Sequence, residues 1–258
     1  MARRLAALAL PLVFLLCACA GPAAPAVSAP PATTQAPPAT TAPTSETPPA
    51  TTTATTEAPP TTTSAPPTTT TTEPPAIPVI EQRENGAWYI GNTVIVNKTY
   101  GLPPGWADGE DPAALAALDQ MIAAAGADGI RLCVVGGGGF RSDEKQTTLY
   151  NNYVARSGRA AADTYSARPG HSEHQTGLAF DLNHAASSFE GTPAALWIEA
   201  HGAQYGFIIR FPKGKEAFTG FIYEPWHVRY VGQPLAAALT ESGLCLEEYY
   251  GLTSEYQD

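Results

Sequence analysis

Two short segments of the sequence concentrate side chains that can bind a metal ion and move a proton. The first contains His174 and Asp181, and the second contains Glu224 and His227. A catalytic zinc site needs about three protein ligands and one open position for water. Two imidazoles and one carboxylate would meet this need, leaving Glu224 as a base. The spacing alone leaves open that the histidines are structural, that Asp181 belongs to a turn and that Glu224 is a solvated charge.

The backbone around the second segment must bend. Pro225 follows Glu224 directly and disfavours a helix interior, and the sequence contains no HExxH motif, so the helical arrangement of many zinc peptidases is excluded. In a regular strand, residues three apart face opposite sides. A bend or bulge near Pro225 is therefore expected to turn Glu224 and His227 to the same side.

Strand and helix signals alternate irregularly in the rest of the chain. A hairpin is predicted over 80–96, with its turn at Asn85-Gly86. Helices are predicted where a capping Asp, Ser or Thr precedes a helical run, over 112–126, 143–158 and 193–206, and again after Pro234. Apolar runs predict strands over 130–135, 207–210 and 218–231. This order favours an α+β fold over a doubly wound parallel sheet.

The first 77 residues predict export and anchoring. Residues 1–20 carry two arginines and a 12-residue apolar run, which is too short to span a membrane and is typical of a signal peptide. Their end resembles the lipobox of bacterial lipoproteins, with Cys19 as the lipidated residue; ordinary cleavage after Ala20 is the alternative. Residues 21–77 hold 15 of the 25 prolines and no aromatic residue, so they are expected to be a disordered, extended Thr/Pro/Ala-rich tether or a passive spacer.

Residues 78–258 are long enough for one hydrophobic core, and a monomer is expected. The chain has a net charge of −10 without clusters of Lys or Arg, which argues against nucleic acid as a partner. This domain contains Cys133 and Cys245. Because two cysteines in an exported chain usually pair, a disulfide between them is expected, with two buried thiols as the alternative.

Three blocks of sequence carry a resemblance to a known family. They are Gly139-Phe140-Arg141-Ser142, the stretch 166–181 with the pattern Ser-x-His-x-x-Gly-x-Ala-x-Asp, and Tyr223-Glu224-Pro225-Trp226-His227-Val228-Arg229-Tyr230. They resemble the VanY-like D-alanyl-D-alanine carboxypeptidases, which are zinc peptidases related to lysostaphin-type enzymes and hedgehog domains. The resemblance covers roughly residues 80–250. It implies a LAS/hedgehog-type fold with a small antiparallel sheet and flanking helices.

The resemblance also implies a set of metal ligands. One Zn²⁺ per domain would be held by His174, Asp181 and His227, and Glu224 would be the catalytic base. This agrees with the general chemistry of zinc hydrolases, in which the metal lowers the pKa of its bound water and a nearby carboxylate takes the proton.

Three further residues are expected to contact substrate. Arg141 and Gln146 fall at positions N′ and N4 of the helix capped by Ser142, and residues at these positions converge. Family members use an Arg and a Gln at this spacing around the substrate, and Arg141 is the candidate cation that helps zinc to hold the oxyanion. Ser172 either binds the terminal carboxylate of the substrate or orients the loop of His174.

The function implied by the resemblance is removal of the terminal D-Ala from peptidoglycan stem peptides. Together with the expected signal peptide, lipidation and tether, it predicts an extracytoplasmic enzyme that is lipid-anchored to the membrane and reaches into the cell wall. An L,D-carboxypeptidase acting on tetrapeptide stems is the nearest alternative, because the metal centre would be the same. A non-catalytic wall-binding module is a second alternative, although such a module would not need Glu224 beside a complete ligand set.

Overall fold

Residues 79–257 are described by a computed structural model, in which short strands lie between helices. The expected signal peptide with Cys19 and the expected linker at 21–77 lie outside the described residues. The strands are β1 (Ile80–Gln82), β2 (Trp88–Ile90), β3 (Thr93–Ile95), β4 (Ala179–Asp181), β5 (Phe207–Ile209) and β6 (His227–Tyr230). The helices are α1 (Pro112–Ala127), α2 (Asp143–Ser157), α3 (Arg159–Ala162), α4 (Pro193–His201), α5 (Glu216–Thr219), α6 (Gln233–Ser242) and α7 (Leu246–Tyr250). The expected α+β class is confirmed.

The N-terminal sheet is an antiparallel meander of β1, β2 and β3. Its first turn contains Gly86, whose φ of 79° is a left-handed conformation that glycine adopts without strain. The predicted hairpin is therefore confirmed, and the same range also contains a third strand, β3.

Capping side chains set the beginnings of the long helices. The Asp111 side chain accepts hydrogen bonds from Ala113 N and Ala114 N, both at 2.9 Å, and Ser142 caps α2 in the same way through Lys145 N. Thr192 caps α4, which ends at His201 and continues to Gly206 as a 3₁₀ turn. These three helix predictions are confirmed.

The second sheet lies at the centre of the main core. Its strand order is β4-β6-β5, with both pairs antiparallel. Helices α1 and α4 pack against this sheet and bury the apolar side chains Leu118, Met121, Phe180, Trp197, Ile198, Phe207 and Val228. This packing fixes β4 and β6 side by side, with Asp181 directly opposite His227.

Two of the predicted strands differ from the structure. Over 130–135 the chain forms only one isolated bridge, because the side chain of Asn183 bonds to Cys133 N and Arg131 O in place of a regular ladder. Over 218–231 only β6 is extended. The segment before it contains α5 and a loop, in which Glu224 N donates to Phe211 O and Pro225 cannot donate at all.

The expected disulfide between Cys133 and Cys245 is not formed. Cys133 is buried beside Asn183, next to the end of β4, whereas Cys245 is buried at the N-cap of α7. Each cysteine packs in its own part of the core. Burial raises the pKa of the Cys245 thiol to about 11, so that this group stays protonated at neutral pH.

Residues 253–256, here called the C-terminal strap, connect loops that are far apart in sequence. Asn97 Nδ2 donates to Thr253 O at 3.0 Å, and Thr99 exchanges hydrogen bonds with Glu255. Other strap residues bond to the backbone of Arg168 and Thr219, at 2.8 Å and 2.7 Å. The strap therefore holds these three segments against one another.

No helix within residues 79–257 is long and apolar enough to cross a membrane.

Candidate metal centre and substrate cavity

His174, Asp181 and His227 converge in the structure. One possible ligand atom from each lies within 4.8 Å of the other two, and all three side chains are buried. His174 Nε2 is 3.3 Å from Asp181 Oδ2, and His227 Nδ1 is 3.1 Å from Asp181 Oδ1. The sheet explains the second contact, because residues directly opposite in an antiparallel pair share a face.

The glycine run 136–139 contacts two of these residues, the side chain of His174 and the backbone of Asp181. Gly139 O lies 2.9 Å from His174 Nδ1, and Gly138 O accepts from Asp181 N at 2.7 Å. A Cβ atom at Gly138 would lie 2.9 Å from Asp181 Cβ, so a side chain there would prevent this close approach. With Nδ1 facing a carbonyl oxygen, His174 keeps Nε2 available on the side of Asp181.

The donor set fits a zinc ion. Two imidazole nitrogens and one carboxylate oxygen face one another, and the second nitrogen of each imidazole is directed at a protein oxygen, as is usual for metal-binding histidines. Burial lowers the pKa of His174 to about 4, which keeps its imidazole neutral. Burial acts in the same direction on His227, but the neighbouring Asp181 and Glu173 carboxylates outweigh it and raise its pKa to about 9.

Glu224 is placed by a tight turn. His227 N donates to Glu224 O at 3.1 Å, with Pro225 and Trp226 between them, so the bend expected near Pro225 is present. The turn brings Glu224 Oε2 to 3.8 Å from His227 Nδ1. Burial raises the pKa of the Glu224 carboxyl to about 8, and the Asp181 charge adds to this shift while His227 and Arg141 oppose it.

Arg141 reaches the candidate metal centre from the residue before the N-cap of α2. Its guanidinium donates to Asp181 Oδ2 at 2.9 Å, to Gln146 Oε1 at 3.2 Å and to Gly137 O at 3.2 Å. The convergence of Arg141 and Gln146 expected from their helix positions is therefore observed. Gln146 is fully buried, and its Nε2 donates to Ala167 O at 2.7 Å, so both ends of its amide bond to protein groups. It contacts Arg141 and is not among the residues that line the cavity beside the site.

A cavity of about 380 Å³ opens at the converging residues. Its lining includes Arg141, Ser172, His174, Glu224 and His227, and aromatic side chains complete its walls: Tyr153, Tyr165, Phe211, Phe221, Tyr223 and Trp226. The Ser172 backbone also contacts Gln175 Oε1 at 3.3 Å, at the start of the turn that carries His174. Both roles considered for Ser172 are compatible with this position.

The chain is similar in sequence and in fold to known proteins. A family model described as VanY, D-alanyl-D-alanine carboxypeptidase, matches residues 109–233. The solved structure of the LdcB LD-carboxypeptidase is 42% identical, with a TM-score of 0.64, over 70% of this chain and 100% of that chain. The chain belongs to the VanY family. DacB from Streptococcus pneumoniae D39 is 43% identical, with a TM-score of 0.60, over 69% of this chain and 99% of that chain.

Among curated relatives of this VanY-family chain, a D-alanyl-D-alanine carboxypeptidase of Enterococcus faecalis (strain ATCC 700802 / V583) is 38% identical over 141 residues. The match covers 51% of this chain and 52% of that relative. The chain spans about half the length of the curated relatives it matches.

The sequence of this VanY-family chain did not reveal a group of buried charges beside the candidate ligands: Glu173, Arg210, Arg229 and Glu247. The sequence contained two indications that charges lie near the candidate ligands. Glu173 is a charged residue directly before His174, and Arg229 lies two positions after His227, so that both face the same side of β6. Arg210 and Glu247 gave no such signal, because their burial depends on tertiary packing.

Proposed function

We propose that residues 78–258 form a zinc-dependent carboxypeptidase that removes the C-terminal D-Ala from peptidoglycan stem peptides. The observation that carries this proposal is the buried convergence of His174, Asp181 and His227, with Glu224 beside them at the wall of a cavity. Membership of the VanY family supports it. A wall-binding module would need neither the ligand set nor a buried carboxyl next to it.

His174 Nε2, an Asp181 carboxylate oxygen and His227 Nδ1 would hold one Zn²⁺. When bound, zinc supplies a water of lowered pKa and polarises the substrate carbonyl. Glu224 is the group that takes a proton from that water and returns it to the leaving amine. Its carboxyl suits this role because burial in the cavity wall already raises its affinity for a proton.

Arg141 is proposed to stabilise negative charge on the substrate. Its bonds to Asp181 and Gln146 fix the plane of the guanidinium, and each terminal nitrogen carries a second N–H that can reach a ligand. Gln146 then acts by holding Arg141, and Ser172 either binds the terminal carboxylate or orients the turn of His174. A guanidinium held in this way stabilises an oxyanion without reorganising during the reaction.

An L,D-carboxypeptidase acting on tetrapeptide stems is a second candidate, favoured by a specific observation. LdcB and DacB, whose solved structures are 42% and 41% identical to this chain, are both L,D-carboxypeptidases. The two activities differ in the stem peptide that is cleaved. Incubating the chain with pentapeptide and tetrapeptide stems and reading the products by mass spectrometry would separate them, with Glu224→Gln as the inactive control. Binding without cleavage of either stem would contradict both.

We also propose that the enzyme acts outside the cytoplasm as a monomer, with residues 1–20 as a signal peptide, Cys19 as the site of a lipid anchor and residues 21–77 as the tether. The composition of these segments supports this arrangement. The mass of the mature N-terminus would test it. An acylated Cys19 is expected, and a free N-terminus at Gly21 would exclude the anchor.

A further inference from the structure

The four charged side chains missed by the sequence interpretation form one buried network behind the metal centre. Glu173 Oε1 accepts from Arg210 Nε and from Arg229 Nη1, each at 2.8 Å. Arg210 also forms a two-bond pair with Glu247, at 2.8 Å and 2.5 Å. Two carboxylates and two guanidiniums therefore balance in charge, which is the condition for burying ionised groups.

Glu173 has one oxygen that this network does not use. Within residues 79–257, three buried side-chain polar atoms have no hydrogen-bond partner, and two of them are Glu173 Oε2 and His227 Nε2. These two atoms face each other at 3.6 Å. Buried polar atoms without a hydrogen-bond partner are costly and rare, so two of them facing each other indicate that they interact in the functional state. An approach of about 0.6 Å would give a normal hydrogen bond.

We propose that Glu173 is a positioning residue for the metal centre: its Oε2 accepts a hydrogen bond from Nε2–H of His227 and thereby selects the tautomer in which Nδ1 offers its lone pair to the metal. The inference rests on the proposed function, because it assumes that His227 is a ligand. The two nitrogens of His227 have different surroundings, since Nδ1 faces Asp181 at 3.1 Å while Nε2 faces Glu173.

The arginines make this selection specific for a carboxylate. Because Arg210 and Arg229 both bond to Oε1, the Glu173 side chain is held with Oε2 towards His227. In a Glu173→Gln variant, the arginines would retain the amide oxygen and the NH₂ group would face His227 Nε2. Two donors would then oppose each other. The imidazole would relieve this by moving its proton to Nδ1, the nitrogen that the metal needs.

The chain offers a matched control. Glu247→Gln makes the same change from carboxylate to amide on the other partner of Arg210, and Glu247 has no contact with His227 among the described hydrogen bonds and ion pairs. Zinc affinity is measured for the full-length parent and both variants by competition with a chromophoric chelator. We expect Glu173→Gln to weaken zinc binding about 10- to 100-fold, as for other partners of metal-binding histidines, and Glu247→Gln to change it by less than about twofold.

Two results would overturn the inference: unchanged zinc affinity in Glu173→Gln, or equal losses in both variants. If Glu173→Gln does not fold, ¹⁵N chemical shifts of the His227 ring in the zinc-loaded parent decide the question. Protonated Nε2 with a slowly exchanging hydrogen supports the inference, and protonated Nδ1 overturns it. A parent chain that binds no zinc would refute the metal site itself, whereas normal zinc binding in the parent and in Glu173→Gln would refute only the role of Glu173.

Discussion

Replacing Glu224 by Gln should separate catalysis from metal binding. Glutamine has the same size and hydrogen-bonding reach, but it cannot take a proton. Glu224 lies outside the cluster of three ligand atoms, so the variant should bind zinc as the parent does. Turnover should fall by at least about 10²-fold, the lower range for a positioned general base. The loss should lie in kcat more than in KM, because the proton moves only on the way to the transition state.

The same substitution should stabilise the metal-free fold in a pH-dependent way. Burial raises the pKa of Glu224 from 4.5 to about 8, so the folded state holds this proton more tightly than the unfolded state. The stability contributed by the protonated carboxyl is complete below about pH 4.5 and is lost as the pH rises through about 8. Glutamine does not ionise and avoids this loss. At about 1.4 kcal/mol per pKa unit, the stability advantage of the variant should grow by roughly 2 kcal/mol between pH 6 and pH 8.

Urea denaturation in the presence of a chelator, at pH 6 and pH 8, measures this difference directly. Glu241→Gln is the matched control, since Glu241 is exposed on α6, and its effect should be the same at both pH values. A Glu224→Gln advantage that does not change with pH would refute the argument that burial keeps this carboxyl protonated. Loss of zinc in the variant would instead make Glu224 a ligand, and normal turnover would place the base elsewhere.

Four further outcomes are expected. His174→Ala should lose zinc together with activity, measured by metal analysis and peptide hydrolysis; a full equivalent of zinc in this variant would exclude His174 as a ligand. Arg141→Lys should reduce kcat by about 10² because a single ammonium cannot replace the guanidinium, and normal kinetics would remove Arg141 from the site. Cys245 should react with a thiol reagent in the unreduced, denatured chain, as read by peptide mapping. Failure of Cys245 to react would indicate a disulfide and contradict the structure. Gly177→Ala should destabilise the fold by at least about 2 kcal/mol in chemical denaturation, because φ is 71° and the new Cβ would lie 2.3 Å from Gly109 O; a change below about 0.5 kcal/mol would contradict this.

The parts of the fold that local chemistry determines could be predicted from the sequence. Asp111, Ser142 and Thr192 each accept hydrogen bonds from the backbone of the turn that follows. The start of each helix is therefore determined by a few adjacent residues. The bend at Pro225 is similar, because proline removes a donor and the chain must turn. These features depend on neighbours in sequence.

The features that could not be predicted depend on distant residues. The region 130–135 looks like a strand, but it bonds to the side chain of Asn183, which no local pattern reveals. The disulfide expectation failed for the same reason, since pairing depends on where packing places each cysteine. The candidate site could be predicted in part from the sequence. Its three candidate ligands follow from the family motif, but the contact between Glu173 and His227 could be found only from the fold.

The C-terminal strap has a consequence for the completeness of the cavity. Its hydrogen bonds hold Asn97, which lines the cavity, and the segments of Arg168 and Thr219, which lead into the cavity residues Ser172 and Phe221. Residues 253–256 therefore help to hold the cavity walls in place although they do not line the cavity. A chain that lacks residues 253–256 would carry all three candidate metal ligands but would lose the hydrogen bonds that hold these cavity segments together. Completion of the cavity thus depends on a short segment that contributes no candidate ligand, so a truncation could abolish function while sparing every residue of the candidate metal centre.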